Sequence, residues 1–196
     1  MTLLRGLVVG MAGLVLAGCA VRTVVPEGQP DTFADWSSTP LPPDPVFTAR
    51  VLNGASDCVL DPAGGAQAHV VLQDRRTTHT AVFLVSNATS FGSCVVSGTS
   101  GASSSSYGPL PGAMAGPLTI EDNGGGSAGA GDIRELGGRV APGAARVVVS
   151  LADGRAVVAS LLGGYWLAWW PTIAPAVRVT ATDASDAEIA NLEVTK

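Results

Sequence analysis

The chain has few of the residues from which reactive sites are built. Among 196 residues there are two histidines and three cysteines, and charged residues make up 14%. Metal centres need three or four converging ligands. His69 and His79 stand apart, with no H-x-x-x-H and no paired-cysteine motif, so no metal site is expected. A serine hydrolase usually shows G-x-S-x-G on a strand-to-helix turn, and no stretch here fits that context. Glu121 with Asp122, and Asp183 with Asp186, are near neighbours in turns, unlike the facing carboxylates of a glycosidase. No catalytic residue is assigned, although a triad dispersed over the chain would leave no such mark.

Basic residues are also scarce. Eleven Lys and Arg stand against sixteen Asp and Glu, a net charge of −5. Beyond Arg75-Arg76 there is no basic cluster, which argues against nucleic acid and against electrostatic docking on anionic lipid. Gly124, Gly126 and Gly129 match G-x-G-x-x-G, but no amphipathic helix follows, so the pyrophosphate cradle that this pattern can form lacks its context. No cofactor is implied.

What the chain does have is β-branched residues in short runs. His69-Val70-Val71-Leu72 and Ala81-Val82-Phe83-Leu84-Val85 flank a polar connection, Gln73 to Thr78, and read as a hairpin. Cys94-Val95-Val96 is a further short strand. The clearest signal is Arg146 to Ala152 and Arg155 to Leu161 around Asp153-Gly154, a tight turn whose two residues favour positive φ. That turn puts Val149 and Leu151 on one face with Ala156 and Val158. Val46 to Leu60, Leu118 to Glu121, Ile133 to Val140, Val177 to Thr182 and Ala187 to Val194 read as strands. Ser97 to Gly116 and Gly124 to Gly131 read as flexible loops. No long segment has a 3.6-residue period, so the class is all-β. An immunoglobulin-like sandwich is expected over residues 46–196, with a small barrel as the alternative.

The N-terminus is of another kind. Arg5 precedes an apolar, uncharged run from Gly6 to Gly18, too short for the roughly 20 residues of a membrane-spanning helix. A charged start, a short apolar core and small residues at its end are the marks of an export signal. The run closes on Leu16-Ala17-Gly18-Cys19, which resembles the lipobox of bacterial lipoprotein precursors. The resemblance implies removal of residues 1–18 and lipid modification of Cys19. It also implies a mature protein anchored at the extracytoplasmic face of the cell membrane. Several acyl chains hold stably where one holds marginally. Loss of Arg5 would take the net charge from −5 to −6. Ala20 to Pro45, with six of the thirteen prolines, reads as an extended tether, on which Phe33 and Trp36 are apolar points suited to docking on the domain.

With Cys19 assigned to lipid, Cys58 and Cys94 remain. Export exposes them to oxidising conditions, where pairing is favoured. The bridge would contribute about 4 kcal/mol in the chain-entropy description. The alternative is two buried free thiols.

Tyr165-Trp166-Leu167-Ala168-Trp169-Trp170 carries three of the four tryptophans. A strand here puts Trp166 and Trp170 on one face and Tyr165 and Trp169 on the other. A two-layer sandwich covers only one face, so the other is either covered by the linker or a loop, or is a platform for a partner or glycan. Gly138 to Pro171 also resembles a segment of uncharacterised exported actinobacterial proteins, which brings no activity with it. Two functions follow as expectations. One is a lipid-anchored interaction or structural module facing an envelope protein or cell-wall glycan. The other is an envelope hydrolase with its site in the Gly/Ser-rich loops.

Overall fold

A computed structural model describes residues 33, 35–52, 58, 69–97, 101–128, 131–172 and 174–195. Among them are one helix, α1 (Pro45–Leu52), and twelve strands. The first sheet is a meander of β1 (His69–Arg75), β2 (Thr80–Ser86), β3 (Ser90–Ser97) and β4 (Gly101–Pro109). The second has the order β5-β6-β10-β9, from β5 (Asp122–Ala128), β6 (Gly131–Arg139), β9 (Ser160–Leu162) and β10 (Tyr165–Trp170). The third runs β12-β11-β7-β8, from β7 (Arg146–Leu151), β8 (Ala156–Val158), β11 (Ala176–Thr182) and β12 (Glu188–Glu193). The strand pairings are antiparallel and no sheet closes on itself. The protein is an all-β sandwich, as its alternating β-branched runs require.

The sheets stack face on face, with the second in the middle. This explains β10. Trp166, Ala168 and Trp170 pack with Val147, Val149, Val157 and Val179 of the third sheet. Leu167 and Trp169 point the other way, against Leu72, Val82, Leu84 and Val95 of the first. A strand covered on both faces has no polar side to display, so its sequence is apolar throughout. β2 obeys the same rule. Its outward residues Ala81, Phe83 and Val85 join Cys94 and Val96 beneath Phe47 and Val51 of α1 and Cys58. The Cys58–Cys94 disulfide, with Cα atoms 5.5 Å apart, lies within that outer cluster.

Several expectations are corrected. The strand expected across Val46 to Leu60 begins as α1. Asp44 caps it by accepting the Val46 N–H at 2.9 Å, and Pro45 occupies the first turn, where its missing donor is harmless. Phe47 and Val51, four residues apart, bury one face. The expected loops at Ser97 to Gly116 and Gly124 to Gly131 contain β4 and β5. Backbone pairing with β3 and β6 overrides their low strand propensity. On β5, a Cβ at Gly125 would stand 2.8 Å from the Ile133 carbonyl, so glycine permits the close pairing. Leu118 to Glu121 forms an isolated bridge, Leu118 to Val140, instead of a strand.

The Asp153-Gly154 hairpin forms in a different register from the expected one. Leu151 N–H donates to Arg155 O at 2.9 Å and only Gly154 has positive φ (86°), which is a three-residue loop with a glycine bulge. Val149 therefore pairs with Val157, not Val158. One residue of slip turns the second strand over, so Val157 and Ala159 are buried while Ala156 is exposed. Gly163 and Gly164, both at positive φ, make the two-residue turn into β10.

Candidate binding groove

β1 ends the first sheet and β9 ends the second, on the same side of the stack. Between them lies an open groove of about 470 Å³. One wall is Val70, Val71 and Leu72; the other is Ala159 to Leu162; Pro40, Leu41 and Pro43 form the rim. Leu162 is among the most exposed large apolar side chains, at 62%.

Polar bonds beneath the groove set its shape. Asp74, on β1, accepts Arg76 Nε at 2.9 Å through one carboxylate oxygen and Ser160 Oγ at 3.1 Å through the other. Its backbone carbonyl accepts Trp169 Nε1 at 3.0 Å. Arg76 donates to the Ser38 carbonyl at 2.8 Å and to the Val158 carbonyl. One ion pair thus ties β1 to β8, β9, β10 and the N-terminal segment. Both side chains are fully buried. Burial pushes the Asp74 carboxyl up to about 6, opposed by the Arg76 charge and by hydrogen bonds. Burial likewise lowers the Arg76 pKa, opposed by the carboxylate.

The rim is fixed as firmly. Leu41 N–H donates to Arg75 O at 2.7 Å, and Arg75 Nε donates to Pro42 O at 2.9 Å. Gln73 receives the Asp44 N–H at 2.9 Å and returns a bond to the Asp44 carbonyl at 3.3 Å. Residues of the proline-rich segment are therefore part of the packed structure. Phe33 lies 5.8 Å from Trp169, ring to ring, and Trp36 packs on both inner cores.

No charged side chain lines the groove. Of its polar groups, Gln73 and Ser160 are engaged by Asp44 and Asp74. Such a surface suits apolar, uncharged matter.

A second polar feature lies between the first and second sheets. Glu135, 2% exposed, accepts Ser93 Oγ at 2.5 Å. Its other oxygen has no hydrogen-bond partner. Burial, and then the charge of nearby Asp122, push its carboxyl up to about 7.

Of the two readings of Tyr165, Trp166, Trp169 and Trp170, a covered face or a binding surface, the structure has the covered one. The tryptophans are at most 1% exposed. Their indole N–H groups are all satisfied, by Thr119 O, Asp74 O and Ala174 O. Half-buried Tyr165 stacks on Phe91 at 5.9 Å. The face in surplus for two layers is covered by a third. Cys58 and Cys94 are joined, and Cys19 lies outside the described residues. His69 and His79 are exposed at opposite ends of the β1–β2 hairpin. No cluster able to hold a metal occurs among the described residues.

Sequence reasoning did not find Asp74, Arg76, Glu135 or the groove. A signal existed for the charged residues. Asp74 closely follows the apolar run His69 to Leu72 and Glu135 lies within the expected strand Ile133 to Val140, and a charge buried on such a strand needs a partner. The groove depends on which strands end their sheets, and local sequence does not carry that. Comparison of the chain with protein-family models, with curated proteins and with solved structures finds no match in any of the three.

Proposed function

We propose that the protein is a lipoprotein, anchored through Cys19 at the extracytoplasmic face of a bacterial membrane, that presents a rigid β-domain to an envelope partner. The observation that carries the binding role is the groove, an apolar, uncharged opening rimmed by the segment that leads back to the tether. Its lining favours a protein partner over a cell-wall glycan. Glycan sites draw on exposed aromatics and polar groups, and here the three tryptophans of β10 are internal. The lipobox residues Leu16 to Cys19 support the anchor. Among the described residues no helix is long and apolar enough to cross a membrane.

The test uses the full chain in a bacterial host. Wild type is expected to take up labelled lipid and partition into detergent, and Cys19→Ser to do neither. Identical partitioning and size in the two would defeat the anchor. Site-specific cross-linking from the groove rim is expected to capture a partner in wild type and lose it in Leu162→Lys, whose exposed position spares the fold. Capture unaffected by that substitution would remove the groove from the function.

A further inference from the structure

We infer that the groove takes one acyl chain of a membrane lipid, inserted between the first and second sheets with the headgroup left outside. The inference rests on the anchor and the groove proposed above, and it adds a ligand beneath the rim that a protein partner would touch.

A bulge opens the way in. β1 breaks its register with β2 between Val70 and Leu72. Val70 packs on the outer cluster, whereas Val71 and Leu72, neighbours in sequence, both pack inward. A bulge re-aims a side chain and bends its strand, and here it brings Val71 to the wall of the gap. Opposite, β9 is three residues long and ends at Gly163-Gly164. Leu72 belongs to the inner cluster with Leu84, Leu167 and Trp169. The floor of the groove is therefore the apolar layer between the two sheets.

The lining selects hydrocarbon. Its volume, about 470 Å³, is that of a small-molecule site. Among the described residues no charged side chain lines it. Its inner polar side chains are turned to the protein, Gln73 to the Asp44 backbone and Ser160 to Asp74. Thr48 comes from α1, on the outer side of the first sheet. Ser160 and Leu162 pair with Leu167 and Tyr165, so in this two-residue hairpin their backbone groups are engaged by β10. On the other wall, the Arg75 carbonyl is taken by Leu41. A peptide would bury its N–H and C=O groups against these apolar side chains, at a cost. An acyl chain has no such group below its ester.

The membrane is the source within reach. Phe33 is the fourteenth residue after Cys19, at most about 50 Å of extended chain. The segment then runs straight to the rim, where Ser37 bonds Arg76, Ser38 bonds Val158 and Leu41 bonds Arg75. An anchor at Cys19 thus confines the groove near the bilayer. A chain moving from bilayer to groove passes between two apolar media, so the exchange is close to neutral and reversible.

The test reconstitutes the full-length protein in phosphatidylcholine vesicles. They carry phosphatidylcholine with a photoactivatable diazirine either at the end of one acyl chain or on the headgroup. Irradiation and peptide mapping locate the adducts. The chain-end probe is expected to mark Leu72 and its neighbours in the groove, as well as residues beside Cys19. The headgroup probe is expected to spare the groove floor. Thr48→Trp and Val71→Trp fill the groove from different sides. Each is expected to lose the groove adducts and keep those beside Cys19. Thr48 is half-buried on α1, so its replacement spares the core.

Adducts beside Cys19 with none in the groove would overturn the inference and leave the anchor standing. Groove adducts that survive both substitutions, or that the headgroup probe forms equally, would mean surface contact and overturn it too. Adducts nowhere would defeat the anchor and the inference together. Rim cross-linking that captures a protein partner or a second copy of this chain, with no groove adducts, would give the groove to that occupant and defeat only the lipid.

Discussion

Asp74 and Arg76, two residues apart in sequence, form an ion pair at 2.9 Å with both side chains fully buried. A buried pair gains little net stability, because desolvation offsets most of its attraction. Removing one partner is costly, since the other charge is stranded. Arg76→Met is therefore expected to destabilise by about 3–5 kcal/mol. Asp74→Leu with Arg76→Met should recover much of that loss, while widening the groove, because Ser160 loses its acceptor. Urea-unfolding midpoints of the three variants check this. A double variant no better than the single would mean that packing, not charge, dominates there.

Glu135 governs a second expectation. Its folded pKa, about 7, lies above its ordinary value of 4.5, so the folded state holds this proton more tightly than the unfolded chain. The stabilisation is full below pH 4.5 and is lost as pH rises through 7. The shift corresponds to about 3 kcal/mol. Denaturation of wild type and Glu135→Gln at several pH values isolates the effect. The glutamine variant should lose less stability between pH 5 and pH 8. Parallel profiles would show that Glu135 titrates normally.

The fold class was legible because β-branched runs and turn residues report local backbone preference directly. Val147 to Leu151 reads as a strand in any context. The number of layers was not legible, since nothing local to β10 says what covers Tyr165 and Trp169. The surplus aromatic face was the hint, and it admitted two meanings. β4 and β5 escaped for the opposite reason: their strand character comes from β3 and β6. The Val157 register turned on one residue of loop length, below what an Asp-Gly pair specifies.

The tryptophans should then behave as core. Trp166→Ala and Trp169→Ala are each expected to cost about 3–5 kcal/mol, one by opening the interface to the third sheet and the other that to the first. Thermal melts of the single variants measure this. An unchanged melt for either would mean that its indole is not enclosed.

The disulfide closes the outer layer. Replacing both Cys58 and Cys94 by alanine is expected to lower stability by about 4 kcal/mol through the unfolded state. Non-reducing peptide mapping of the wild type should show them linked. Two freely alkylatable thiols in folded protein would contradict the bridge.

Gly138 gives the sharpest steric expectation. It sits on β6 opposite Trp166, and a Cβ there would lie 2.0 Å from the Thr119 carbonyl oxygen. That same oxygen accepts the Trp166 indole N–H at 3.1 Å. Alanine would force the Thr119 backbone away and strain the indole's hydrogen bond, and a backbone cannot swing aside as a side-chain tip can. Overpacking typically costs about 1–3 kcal/mol, and loss of a buried hydrogen bond adds about 1 kcal/mol or more. Gly138→Ala should therefore lower the melting temperature well below wild type. Gly108→Ala is the matched control, since nothing lies within 4 Å of its added carbon, and it should melt like wild type. Equal melts for the two alanine variants would show that Thr119 does not crowd the β6 backbone.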